Sequence, residues 1–314
     1  MDASIPTPVR PRTGRLWLRT FLTGLALWVA TVVVIFLTAN PNLIPTLVLL
    51  GSFLVPVTFV TWAFERRDTG ELSAGLVFST FVTGGVLGVL GASVLESYLL
   101  HPSPYLFVGV GLIEEAVKLA ALALLTRHLV HKTVRDGMVL GASVGFGFAA
   151  FESAGYAFTA LFTERGLSLM QLVQTEVLRG LLTPFGHGLW TAILGGVLFA
   201  SSTRDHFTVT GRLVLAYLGV SVLHALWDSM REIALLITLL ITATPVQYQE
   251  LQHGWIVEPT AEQVNLFTTL SWGGLMVVGL VGVLWAAAMW RRSRRWPETI
   301  PARGWQIPVR EPRY

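Results

Sequence analysis

The sequence predicts an all-α fold, a polytopic transmembrane helical bundle of about eight spans, on three observations. Of 314 residues, 53% are hydrophobic and 13% charged, about half the charge of an ordinary soluble domain. The apolar residues gather in runs of about 20, enough to cross a ~30 Å hydrocarbon core as helices. The connections alternate between basic and non-basic, as the preference for Lys and Arg on the cytoplasmic side requires. The chain has no cysteine, which excludes disulfides, thiolate metal sites and cysteine nucleophiles. Its basic residues gather mainly at the ends and in loops, and nothing beyond the basic ends suggests a nucleic-acid partner.

Residues 1–15, rich in Pro and Arg, read as a disordered basic cytoplasmic tail. The first run, Leu16–Ala39, is too long for a signal-peptide core and reads as a retained span. The second, Leu43–Phe64, ends at the charged turn Glu65-Arg66-Arg67-Asp68, and the third, Leu72–Leu95, carries a Gly84-x-x-x-Gly88 spacing suited to close helix packing. The fourth, Tyr105–Leu125, contains Glu114, Glu115 and Lys118. The fifth, Met138–Phe162, is glycine-rich at Gly141, Gly145 and Gly147 and carries Glu152 and Tyr156. A polar, amphipathic connection, Thr163–Glu176, precedes the sixth run, Val177–Ser201, with Arg179, Pro184 and His187. The seventh starts near Leu213 and holds His224, Trp227 and Asp228 before Arg231-Glu232. The stretch Ile233–Thr242 is too short to cross alone and reads as an extension or an interfacial segment. The eighth, Val264–Trp290, leads to a second basic cytoplasmic tail, residues 291–314. Residues 16–290 thus form one transmembrane domain, with its functional core at about 105–232.

Both termini belong inside. With that orientation the inner segments carry Arg10, Arg12, Arg15, Arg66, Arg67, Arg127, Lys132, Arg135, Arg204 and Arg212, whereas the outer connections carry only Arg165.

Ionisable groups in hydrocarbon cost several kcal/mol and mark function by default. Lys118 follows Glu114 and Glu115 by one helical turn. Counted from the cytoplasmic ends, Glu115, Glu152, His187 and His224 all lie roughly 16–21 Å deep. Four helices therefore bring acids and imidazoles to one level. Asp228, one turn beyond His224, can accept from its imidazole and fix the tautomer. The plain alternatives are an ion pair of the glutamates with Lys118 or Arg179 that only locks helices, and a hydrogen-bonded core histidine at the Pro184 kink. Tyr156 and Trp227 read as packing, and Arg179 and Arg231 as side chains snorkelling to the outer interface.

Glu114-Glu115-x-x-Lys118, Phe148-x-x-x-Glu152 and His224-x-x-x-Asp228, on successive spans, resemble the PrsW family of bacterial intramembrane proteases. That family is distantly similar to the CAAX prenyl endopeptidases and bacteriocin-processing proteases. The resemblance covers roughly Leu112–Ser229 and implies an intramembrane endopeptidase in the bacterial plasma membrane. Its substrate would be a transmembrane or lipid-proximal protein; the family's namesake clips an anti-sigma factor. One of Glu114 and Glu115 would activate water while the other is braced by Lys118, with Glu152 and His224 completing the site.

The residues themselves permit this chemistry. Peptide hydrolysis needs a base for the attacking water, donors for the oxyanion and an acid for the leaving amine. His224, oriented by Asp228, and His187 can each serve as donor or acid. A metal route is open too, with zinc held by Glu152, His187 and His224; the metal-free glutamate route is preferred. The other function class is a proton- or ion-coupled transporter using the same midplane groups, against which stands the lack of an internal repeat. Pro184 and the glycines flanking His187 are expected to loosen the sixth helix and open the site laterally or to the outer face.

Overall fold

The structure, a computed structural model, describes residues 14–66, 72–164, 166–202, 206–254 and 258–295. Most of both basic tails, and Arg67, Asp68, Arg165 and Arg204, lie outside the described residues. The all-α expectation holds, apart from a two-residue antiparallel ladder pairing β1 (Phe162–Thr163) with β2 (Gly166–Leu167). In chain order the helices are α1 (Leu16–Thr38), α2 (Ile44–Phe64), α3 (Ala74–Leu99), α4 (Leu106–Thr126), α5 (Val134–Ala160), α6 (Leu169–Leu182), α7 (His187–Ala200), α8 (Gly211–Asp228), α9 (Met230–Thr242), α10 (Pro245–Gln252) and α11 (Ala261–Arg295).

Among the described residues, six helical stretches are long and apolar enough to cross a membrane, and a seventh if α8 and α9, bent by 60°, count as one. The α4 helix is not among them, because Glu114, Glu115 and Lys118 all lie within its 21 residues. At roughly 31 Å it is nonetheless as long as a hydrocarbon core is thick. The expected extension beyond Asp228 is the bent helix α9.

Local chemistry sets the helix starts. Ser73, Thr133, Ser168 and Thr210 each accept a backbone N–H from three residues on, at the N-termini of α3, α5, α6 and α8. One boundary differs from expectation. The polar stretch before Val177 is helical from Leu169, so α6 and α7 form one broken span, Leu169–Ala200, interrupted by a 3₁₀ turn at Thr183–Phe185. Pro184, which lacks an N–H and crowds the preceding turn, accounts for the break. A π-helical turn at Thr80–Gly84 interrupts α3, a feature periodicity does not reveal.

The α5 helix is the hub: 83% of its apolar window is buried, against 6% for α1 and 22% for α11. Its glycines make this possible. A Cβ at Gly137, Gly141 or Gly145 would run into the backbone oxygens of Gly195, Thr191 or His187 respectively, so α5 and α7 touch backbone to backbone. In lipid, where apolar surface gains little by leaving the solvent, such close contact is what holds helices together. The Gly84/Gly88 spacing does the same for α3, with Val144 and Phe148 filling the positions a Cβ would need.

Candidate active site

The α5–α7 seam presses the carbonyl of His187 against Gly145, which fixes where α7 begins and where the imidazole hangs. On the other side, Gly111 of α4 lets α8 approach: a Cβ there would meet Ser221 O at 2.7 Å and His224 Cβ at 3.4 Å. Gly111 and Glu115 are one turn apart, so this contact lays His224 directly over Glu115. Tyr217 Oη donates to Leu112 O at 2.7 Å and ties the same two helices.

Lys118 is the hub of the polar cluster. Its ammonium lies 2.6 Å from Glu115 Oε1 and 3.3 Å from Glu114 Oε2. It donates to His187 Nδ1 at 2.9 Å and stands 4.4 Å from the Phe148 ring centroid. His224 Nδ1 donates to Glu115 Oε1 at 3.0 Å. Glu115, Lys118 and His224 are 0% exposed and Glu114 6%. With its Nδ1 committed to Lys118, His187 donates from Nε2 to Glu152 Oε2 at 3.2 Å. The same carboxylate oxygen pairs with Arg179, whose Nε also donates to Ser153 Oγ at 2.8 Å.

The structure thus gathers every residue singled out from the sequence: Glu114, Glu115, Lys118, Glu152, His187, His224 and Asp228. Asp228 lies 3.1 Å from His224 Nε2, yet that nitrogen has no hydrogen-bond partner among the described residues. Glu115 therefore shares the task of setting the imidazole's orientation. Arg179 departs from the snorkelling expectation: it turns inward to Glu152, with Tyr156 stacked 4.3 Å beneath its guanidinium. The charge-assisted bond to this partly buried carboxylate outcompetes the interface for it. Sequence reasoning missed Trp190, fully buried, with its ring 4.6 Å from His224 and 5.4 Å from His187. Its spacing of three from His187 placed it on the same helical face.

The donor set resembles a metal site, although not the trio expected. Glu114, His187 and His224 offer donor atoms within 4.8 Å of one another, whereas Glu152 is engaged with Arg179. Glu114 Oε2 is 3.6 Å from both His187 Nδ1 and His224 Nε2. Ligands about 2.1 Å from a tetrahedral metal sit roughly 3.4 Å apart, so these residues fit a divalent metal once Lys118 releases His187 Nδ1, with the unpartnered His224 Nε2 as an unclaimed donor. Glu115 behind His224 and Glu152 behind His187 are carboxylates of the kind that orient ligating imidazoles.

Lys118 neutralises the site. Lys118→Met is expected to leave both glutamates without their buried counter-ion, costing about 3–5 kcal/mol. Measured as thermal unfolding in detergent, it should lower the midpoint well beyond a Lys118→Arg control, and abolish accumulation in the membrane if the margin is small.

The family model described as PrsW family intramembrane metalloprotease matches residues 45–248, a span containing the whole cluster. Protease PrsW of Halalkalibacterium halodurans is 23% identical over 189 residues, covering 58% of this chain and 82% of that protein. No solved structure matches.

Proposed function

The chain belongs to the PrsW family of intramembrane metalloproteases, multi-pass bacterial membrane peptidases acting on membrane or lipid-proximal substrates, and on that premise we propose that Glu114 is the group that handles the attacking water. The supporting observation is the convergence of Glu114, His187 and His224 on one point inside the bundle, their donor atoms within 4.8 Å of one another. Family membership also sets aside the transporter reading.

The two glutamates divide the work. Glu115 is held by Lys118 and by His224 Nδ1, so it orients and balances charge. Glu114 has only the longer contact to Lys118 and faces both imidazoles, which leaves it able to exchange a proton. It takes a proton from water as the oxygen attacks the scissile carbonyl. The same proton then passes to the leaving nitrogen as the C–N bond breaks, so the carboxylate is regenerated. His224 and His187, their Nδ1 and Nε2 held by Glu115 and Glu152 respectively, bound the pocket, and His224, once protonated at Nε2, donates to the oxyanion. A divalent metal would be held by Glu114, His187 and His224 and would supply Lewis-acid activation of water, in which case Glu114 would serve as a ligand rather than as the base.

The broken span Leu169–Ala200 supports entry of substrate between helices near Pro184. For substrate we propose a single-span membrane protein, anti-sigma factors being the first candidates. The test is cleavage of tagged single-span proteins by purified protein in detergent, with and without a chelator. Cleavage lost on chelation and restored by zinc assigns Glu114, His187 and His224 to the metal. Cleavage that survives chelation assigns the water to Glu114 alone. Ion-coupled flux in proteoliposomes without cleavage of any single-span protein would overturn the proposal.

A further inference from the structure

On the far side of the α5–α7 seam from the polar cluster, a groove of about 550 Å³ runs between α2, α5, α7 and α11. Its floor is Pro184, Phe185 and Gly188 at the helix break, and its open end is framed by Trp62, Trp290 and Arg291. Apart from Arg291, the lining carries no charge. Arg66 stacks over Trp62, 4.2 Å from the ring centroid, at the same end. The neighbouring acid Glu65 turns away to accept the backbone N–H of Leu16 at 3.0 Å.

From these features we infer that the groove binds an anionic phospholipid, one acyl chain along the apolar floor and the phosphate between Arg66 and Arg291. Dimensions favour a lipid over a substrate helix. Along α5 the lining runs from Met138 to Phe146, roughly 12 Å, close to the ~15 Å of one leaflet. A substrate helix crossing the membrane would need a groove of roughly 30 Å, more than twice this length. The groove thus matches one leaflet in depth rather than the length of a spanning helix. Trp rings at the rim suit the interface, where their apolar body and polar edge are both satisfied. The arginines, at the helix ends on that side, sit where headgroup phosphates lie and supply the complementary charge. None of its lining residues belongs to the polar cluster, although the helix break at Pro184 is shared with the substrate entry proposed above.

The test is native mass spectrometry of the purified full chain equilibrated with equal amounts of phosphatidylglycerol and phosphatidylcholine. The expected result is preferential retention of phosphatidylglycerol, falling about fivefold for each of Arg66→Gln and Arg291→Gln. Ala287→Phe, which fills the groove from α11, should cut retention of both lipids. Equal retention of the two lipids by the wild type, or unchanged phosphatidylglycerol retention in both Arg291→Gln and Ala287→Phe, would sink the inference. So would displacement of the lipid by an uncharged single-span peptide whose own binding Ala287→Phe blocks, which would give the groove to a helix. Arg291 is exposed, so Arg291→Gln keeps the question decidable if Ala287→Phe does not fold.

Discussion

Glu114→Gln is expected to reduce cleavage by about 10²–10⁴-fold, the range for loss of a positioned acid–base group, while the protein stays folded. The amide keeps the shape of the side chain but cannot take a proton from water. Stability survives because Lys118 retains its shorter partner, Glu115 at 2.6 Å, so the buried ammonium is still neutralised. Glu115→Gln is the informative contrast. It removes the main counter-ion of Lys118 and the acceptor of His224 Nδ1, so activity and thermal stability should fall together. Parallel measurement of initial cleavage rate and unfolding midpoint separates the two. A Glu114→Gln protein that cleaves at near wild-type rate would remove Glu114 from the chemistry.

Gly145→Ala should be a damaging change for a single methyl group. The added carbon would collide with the carbonyl of His187 and lie 2.8 Å from Thr191 Oγ1, so α7 must move away from α5. Overpacking of this kind costs about 1–3 kcal/mol. The effect on activity is larger, because a displacement of about 1 Å at a reacting group can cost 10²-fold. Gly155→Ala, on the same helix but with open space around the added carbon, is the control and should be neutral. Cleavage rates of the two variants at equal protein level decide the matter; equal rates would mean that the seam does not position His187.

The polar cluster was legible because each member interrupts an apolar run, and because counting residues from the basic ends gave four helices a common depth. The pairings inside it were not. Glu114 faces both imidazoles while Glu152 is shared between His187 and Arg179, and nothing in the spacing of Arg179 distinguishes an inward from an outward turn. The start of α6 was hidden for a related reason. Gln171, Gln174 and Glu176 make that stretch look like a polar connection, yet Glu176 is buried and accepts from Trp28 Nε1 at 2.8 Å. That contact joins residues 148 positions apart, beyond the reach of any local pattern. The α4 helix shows the converse. Its three charges disqualify it as a span although its apolar content is ample, and those charges are members of the cluster.

The break at Thr183–Phe185 also reorients an electric field. A continuous helix through this level would bury its peptide dipoles head to tail and present none of them to the cluster. Because α7 begins afresh at His187, it turns the positive end of its macrodipole, roughly half an elementary charge, towards the place where an anion would form. Leu189 and Trp190 already donate their backbone N–H groups to Gly186 O, so it is the first two, those of His187 and Gly188, that lack a helical partner among the described residues. They stand beside the imidazole that the sequence already marked, so the proline that interrupts the span also supplies a fixed positive potential that no side chain in the motif accounts for.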